Sequence, residues 1–262
     1  MGTSKGYAAP TGGQWTKLKR DVSRFARDVE LGLPAPSQPD PRIGNLLAQL
    51  VAVLGGAAAL SRAAGVGASA GSGSPVGIGA AAARTGAGLG GFASTVAGAG
   101  LDEALHGIEL GDLADRPADE VVDAIVERLS EVPAGLDEAA AREALILLLA
   151  ELQGDAATLA DLETAYKRAA EAYGVRGLMV RYFGYYLYVL FCERFTERLN
   201  RDPERAKSAA AVSSQIREYV LTAVEARLAG TDVGAIDWTG PDGLQMSEEI
   251  LGETLEIFGA PA

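Results

Sequence analysis

The stretch 178–200, LMVRYFGYYLYVLFCERFTERLN, is the most strongly patterned part of this chain of 262 residues. Its aromatic side chains cover more than one face of a helix, and they are Tyr182, Phe183, Tyr185, Tyr186, Tyr188, Phe191 and Phe195. Aromatic residues at helical spacing are most often buried, which predicts a long helix packed inside a core. Tyrosine is also frequent at interfaces, so part of this set could instead face a groove or a partner.

Apolar residues recur at helical spacing on both sides of this stretch. Their periodicity predicts further helices at about 80–98, 101–108, 117–129, 137–152, 158–173, 203–229 and 247–258. No segment shows sustained alternation of β-branched residues, so no strand is predicted. We therefore expect an all-α protein with a multi-helix, bundle-like body.

Residues 1–42 are predicted to form a flexible N-terminal arm, and residues 43–262 to form the helical domain. Residues 1–13, MGTSKGYAAPTGG, hold too few apolar groups to offset the entropy of ordering. A proline-rich linker, LPAPSQPDP, occupies 33–41, and a Gly/Ser run at 65–79 predicts a mobile loop within the domain.

A short amphipathic helix is predicted inside this arm, at about 14–30. Its apolar face consists of Trp15, Leu18, Val22, Phe25 and Val29. The rest of the helix is locally basic and carries Lys17, Lys19, Arg20, Arg24 and Arg27.

Charge and composition exclude several classes of function. The formal net charge is −12, opposite to that of a general phosphate-binding surface, so non-specific nucleic-acid binding by the whole protein is not expected, and no direct nucleic-acid partner is predicted. The net charge leaves a local basic patch open as an alternative. The single cysteine, Cys192, and the single histidine, His106, cannot form a disulfide or a Cys/His zinc site within one chain. The first 30 residues lack the apolar region of a secretory signal, so we expect a cytoplasmic protein. No cofactor is predicted.

Three patterns admit a functional interpretation beside a structural one. Gly86, Gly88 and Gly91 match G-x-G-x-x-G, but the preceding residues look helical, which favours a loop or a tight helix contact over a nucleotide site. The uncharged stretch 43–61 approaches the length of a membrane span, yet its weak hydropathy favours a buried helix, predicted over about 43–64. Paired acids such as Asp137 and Glu138 are expected at helix starts and on solvated faces.

The N-terminus offers one reactive group. Removal of Met1 would expose the Gly2 amine, and an α-amine with a pKa of roughly 7.7–8 is partly unprotonated near neutrality. Gly6 stands where N-myristoylation needs Ser or Thr, which disfavours lipidation. From the residues alone, an ordinary disordered terminus remains the simpler interpretation.

Several segments resemble the QatB family, the B component of the Qat anti-phage defence system. They are Met1-Gly2-Thr3-Ser4 followed by Trp15, Arg84 with Gly90-Gly91-Phe92, residues 100–105 and 110–113, and Asp137-Glu138-Ala139 with Arg142 and Ala144. The resemblance implies a bacterial defence operon that also encodes an ATPase, a QueC-like enzyme and a TatD-like nuclease.

The resemblance also implies a role for the N-terminus. The QueC-like partner would attach a deazaguanine to Gly2, and the surrounding recognition arm would be Thr3, Ser4, Lys5 and Gly6. The chain would then be a non-enzymatic substrate and scaffold, because no nucleophile, base and orienting group can be assembled from its residues. Two alternatives remain open: a structural adaptor that binds the ATPase and the nuclease without modification, and a membrane-active effector that uses residues 43–98.

Overall fold

The structure, a computed structural model, describes residues 12–33, 40–61, 78–113, 116–200, 203–226, 236–238 and 240–259. These residues contain ten α-helices, a short 3-10 helix at Gly111–Leu113 and no strand, which confirms the predicted all-α fold. The helices are α1 Gly13–Glu30, α2 Pro41–Val53, α3 Ala57–Ser61, α4 Ala80–Ala99, α5 Leu101–Gly107, α6 Ala118–Leu129, α7 Leu136–Gln153, α8 Leu159–Asn200, α9 Pro203–Glu225 and α10 Pro241–Gly259.

Helix α8 is the centre of the body and packs against α4, α7, α9 and α10. The aromatic residues that distinguish its sequence are almost all buried, which confirms the prediction of core packing. Tyr188 is the exception and lies half-buried at the edge of the core. Because aromatic side chains bury large areas, this one helix supplies much of the apolar surface that the others cover.

Helix α8 consists of two helical segments that meet at a kink, in agreement with the separate helices predicted at 158–173 and 178–200. The backbone of Gly174 between them is not helical, and its φ of 63° lies in the left-handed region. Only glycine adopts this φ at little cost, which explains why the kink lies there.

The uncharged stretch 43–61 divides into α2 and α3, whereas the sequence predicts one helix. Gly55 and Gly56 have φ values of 109° and 87°, which stop α2 after Val53. Leu46, Leu47 and Leu50 are buried in the core, as the buried-helix interpretation requires. Within the described ranges, the helices do not include one that is both long enough and apolar enough to cross a membrane.

Helix α1 packs against α2 and α9 instead of standing apart from the body. Trp15, Leu18, Val22 and Phe25 are buried and belong to the same core cluster as α8. The amphipathic helix assigned to the arm therefore contributes to the folded core. Residues 1–11, residues 34–39 of the proline-rich linker and residues 65–77 of the Gly/Ser run predicted at 65–79 lie outside the described residues. The division into 1–42 and 43–262 stays a prediction.

Helix α4 approaches its neighbours through glycine. A Cβ atom at Gly86 would lie 2.5 Å from Ser247 Oγ and 2.7 Å from Phe183 Cζ, and one at Gly90 would lie 2.5 Å from the ring of Trp238. The G-x-G-x-x-G match lies within this helix and not at a strand–helix turn. The interpretation as a tight helix contact is therefore confirmed.

We expect Gly86→Ala to lower the free energy of unfolding by about 1–3 kcal/mol, because the added methyl group overpacks the contact with α8 and α10. Gly98→Ala is the matched control in the same helix, since a Cβ atom there meets nothing within 4 Å. That change should be neutral or stabilise by up to about 1 kcal/mol. Urea unfolding of both variants measures the difference, and equal stabilities would contradict the close approach of the helices.

Candidate functional site

The most deeply buried acid of the described chain is Asp137, at the start of α7, which is only 3 % exposed. The backbone N–H groups of Gly79 and Ala81 donate to its two carboxylate oxygens at 2.8 and 2.7 Å. The hydroxyl of Tyr186 donates to the same carboxylate. Because the first N–H groups of a helix have no partner within it, Asp137 caps the N-terminus of α4 from a distant part of the chain.

This position corrects the expectation that Asp137 lies on a solvated face. Burial raises the pKa of Asp137, while the hydrogen bonds from Tyr186, Gly79 and Ala81 act in the opposite direction. Burial also raises the pKa of Tyr186 well above its ordinary value. Since both carboxylate oxygens already accept hydrogen bonds inside the core, the cluster holds helices together and offers no open acid or base.

The sequence contains a signal for this burial. Asp137 stands in helical register with Ala141, Ala144 and Leu148, all of which are buried on the inner face of α7. A helix-start acid on the apolar stripe, rather than opposite it, indicates a buried cap.

A second polar cluster joins α7, α8 and α9 around Arg181, which is 4 % exposed. Its guanidinium donates to Glu151 at 2.5 Å and to Glu225 at 2.7 Å, and it lies 4.8 Å from the ring centroid of Tyr173. Glu151 also accepts the hydroxyl of Tyr185. Both terminal nitrogens of Arg181 therefore bind carboxylates, one from α7 and one from α9, so the cluster connects three helices.

The single cysteine and the single histidine do not meet. Cys192 is half-buried and lies 3.5 Å from Ser213 Oγ, and burial raises the pKa of its thiol, which keeps it protonated near neutrality. His106 is exposed on α5, with Nδ1 2.9 Å from the carbonyl oxygen of Asp102. Among the described residues, no group of three or more His, Cys, Asp or Glu side chains could hold a metal ion.

The exposed face of α1 carries a row of cations, here called the basic stripe, formed by Lys17, Arg20, Arg24 and Arg27. Their spacing of three, four and three residues places them on one line, opposite the buried face of the helix. Arg20 is 3.6 Å from its neighbour Asp21, whereas the other three have no ion pair with any described residue. Leu31 extends the line by one further turn and is 65 % exposed.

An open cleft of about 580 Å³ lies beside the end of α1, between α2 and α9. Arg42 lines it and is already bound by two carboxylates, Asp40 at 2.7 Å and Asp28 at 3.0 Å. Asp40 also accepts the backbone N–H of Arg42 as the N-cap of α2. The polar groups on this side of the cleft therefore stabilise the junction of α1 and α2.

The residues predicted for modification and its recognition, Gly2, Thr3, Ser4, Lys5 and Gly6, lie outside the described residues. The first described helix after them is α1, whose first buried side chain, Trp15, packs against Phe195 with ring centroids 5.5 Å apart.

We expect Asp137→Asn to lower the free energy of unfolding by about 2–3 kcal/mol, because the new NH₂ group would face a donor. Asp119→Asn is the matched control, since Asp119 is an exposed acid in the first turn of α6, where its removal should cost less than about 1 kcal/mol. Chemical denaturation of both variants tests the cap. A control that loses as much stability as Asp137→Asn would argue against it.

Removing the buried cation should cost more than removing an exposed one. Arg181→Met is expected to destabilise the protein by about 3 kcal/mol, because two carboxylates lose their shared partner. Arg84→Met removes an exposed arginine that binds Glu131 at 2.5 Å, and it should cost at most about 1 kcal/mol. Thermal and urea unfolding of the pair give the comparison, and similar losses would refute the assignment of Arg181 as a structural joint.

Comparison with known proteins identifies the family. The family model described as Qat anti-phage system associated protein QatB matches residues 77–258, which is more than half of the chain. No curated protein and no solved structure matches the chain. The matched range includes Asp137, the glycine contacts of α4 and the whole of α8. The chain therefore belongs to the QatB family of the Qat anti-phage defence system.

Proposed function

We propose that this component of the Qat system is a non-enzymatic protein substrate and scaffold whose Gly2 amine receives a deazaguanine from a QueC-like partner. The family match over residues 77–258 supports the part of the proposal that assigns the chain to an anti-phage system. The choice of Gly2 as acceptor rests on the resemblance of residues 1–4, which lie outside the matched range.

In this proposal the chain supplies only a nucleophile, the α-amine of Gly2. An α-amine with a pKa of roughly 7.7–8 is a usable nucleophile near neutral pH, and glycine presents the least hindered one. The Gly2 nitrogen would form a bond to a carbon of the deazaguanine that the partner has activated with ATP. The amine would lose a proton, and the phosphate or AMP group that activated the carbon would leave. The partner would also hold any metal. Residues 3–6 would be read as the recognition arm, and they precede the anchored helix α1 in the chain.

The polar clusters of the folded body support the role of substrate over that of enzyme. Asp137 is fully used in capping α4, and Arg181 is bound by Glu151 and Glu225. A catalytic site needs a nucleophile and a base that a substrate can reach, and these groups are occupied by the fold. The acidic surface of the body would dock the ATPase and the nuclease of the system.

The test is mass spectrometry of the intact protein and of its N-terminal peptide, purified with and without the QueC-like neighbour. We expect an added mass on Gly2 only when the neighbour is present. An unmodified glycine in both samples would remove the substrate role and leave the adaptor as the better hypothesis.

A substitution separates the substrate from the adaptor without deleting any helix. Gly2→Glu should retain Met1, because Met removal needs a small second residue, and it should abolish both the added mass and phage defence. Gly13→Glu is the matched control, since a Cβ atom there has open space and an acid suits the first turn of a helix. Full defence by Gly2→Glu would favour the adaptor.

A further inference from the structure

Within the described ranges, the basic stripe of α1 makes one ion pair, between Arg20 and its neighbour Asp21. Its four cations span about 15 Å along the helix, at 1.5 Å per residue. Helix α1 carries five basic and three acidic residues, whereas the whole chain has a net charge of −12. Asp28, one of the three acids, is engaged by Arg42 at the junction with α2. The exposed face of α1 is therefore positive on an otherwise negative protein.

Three cations of the stripe, Lys17, Arg24 and Arg27, have no carboxylate partner among the described residues. Exposed cations cost little when they are left in water, so their presence alone would not indicate a partner. The exposed Leu31, which lies on the same line, is a second feature. It is 65 % exposed, and covering an apolar side chain of this size lowers the free energy.

The chemistry of the partner follows from these features. A membrane surface would require the apolar face of α1, but Trp15, Leu18, Val22 and Phe25 are buried in the core. An extended polyanion would be opposed by the net charge of −12 that the whole chain carries. A protein with a local acidic patch could pair with the cations of the stripe, and an apolar side chain beside that patch could cover Leu31. Such a partner would not need to contact the rest of the body.

We propose that the basic stripe together with Leu31 docks an acidic face of the enzyme that modifies Gly2. This inference rests on the proposed function. Because α1 is the first described helix after the acceptor, an enzyme held on its surface would see the terminal amine at a high effective concentration, on the order of millimolar for a short tether. Docking then accounts for selection of this N-terminus among all other proteins that begin with glycine.

The experiment compares two pairs of charge reversals that change the net charge equally. Arg24→Glu/Arg27→Glu alters the stripe, and Arg116→Glu/Arg168→Glu alters exposed arginines on or near other helices. Binding of the full-length QueC-like enzyme to the full chain is measured by calorimetry at low and at physiological salt, and Gly2 modification is followed by mass spectrometry. Circular dichroism confirms that both variants are folded.

We expect the stripe variant to weaken binding about tenfold or more at low salt and to lose most of the salt dependence of the wild type. The control should stay within about twofold. Modification of Gly2 in the stripe variant should slow by a similar factor at limiting enzyme and recover at saturating enzyme. Leu31→Gln should weaken binding with little change in its salt dependence.

The outcomes separate this inference from the proposed function. Equal binding of the two charge variants overturns the docking surface, even if Gly2 of the wild type is modified. Stripe-dependent binding without any added mass on Gly2 overturns the proposed modification and leaves the docking surface standing. Stripe-dependent binding of a DNA or RNA oligonucleotide, with enzyme binding unchanged, would assign the stripe to nucleic acid and overturn the proposal.

Discussion

The carboxylate of Asp137 is the interaction on which the arrangement of the central helices depends. It belongs to α7, it accepts the N–H groups of Gly79 and Ala81 at the start of α4, and it accepts a hydrogen bond from the hydroxyl of Tyr186 in α8. One side chain therefore fixes where α4 begins relative to two other helices. A buried acid is tolerated there because both of its carboxylate oxygens accept hydrogen bonds.

The glycines of α4 become intelligible once its start is fixed. A helix held at one end can approach its neighbours closely only if its contact face lacks side chains, and Gly86 and Gly90 supply that face towards Phe183 and Trp238. In the sequence, the glycines of α4 resemble a flexible or nucleotide-binding segment. In the structure, they allow close packing. The aromatic residues of α8 therefore pack against the small residues of α4.

Helical periodicity made most of the fold predictable, because an amphipathic helix carries its own pattern. The limits of that logic are visible at α1, where the apolar face is evident but its partner α9 lies far along the chain. Asp137 was missed for a related reason, since its three donors come from elements that only the tertiary structure brings together. Gly2 could be proposed as the acceptor only from a family resemblance, because no local pattern distinguishes a reactive terminus from an ordinary one.

The two tryptophans lie at different helix contacts, so their fluorescence can report on each contact separately. Trp15 reports on the seam between α1 and α8 through its contact with Phe195, and Trp238 reports on the seam between α4 and the start of α10. Both indoles are shielded from water in the folded state. Replacing either one leaves a fluorophore confined to a single seam, so the release of α1 can be followed separately from the loosening of the core.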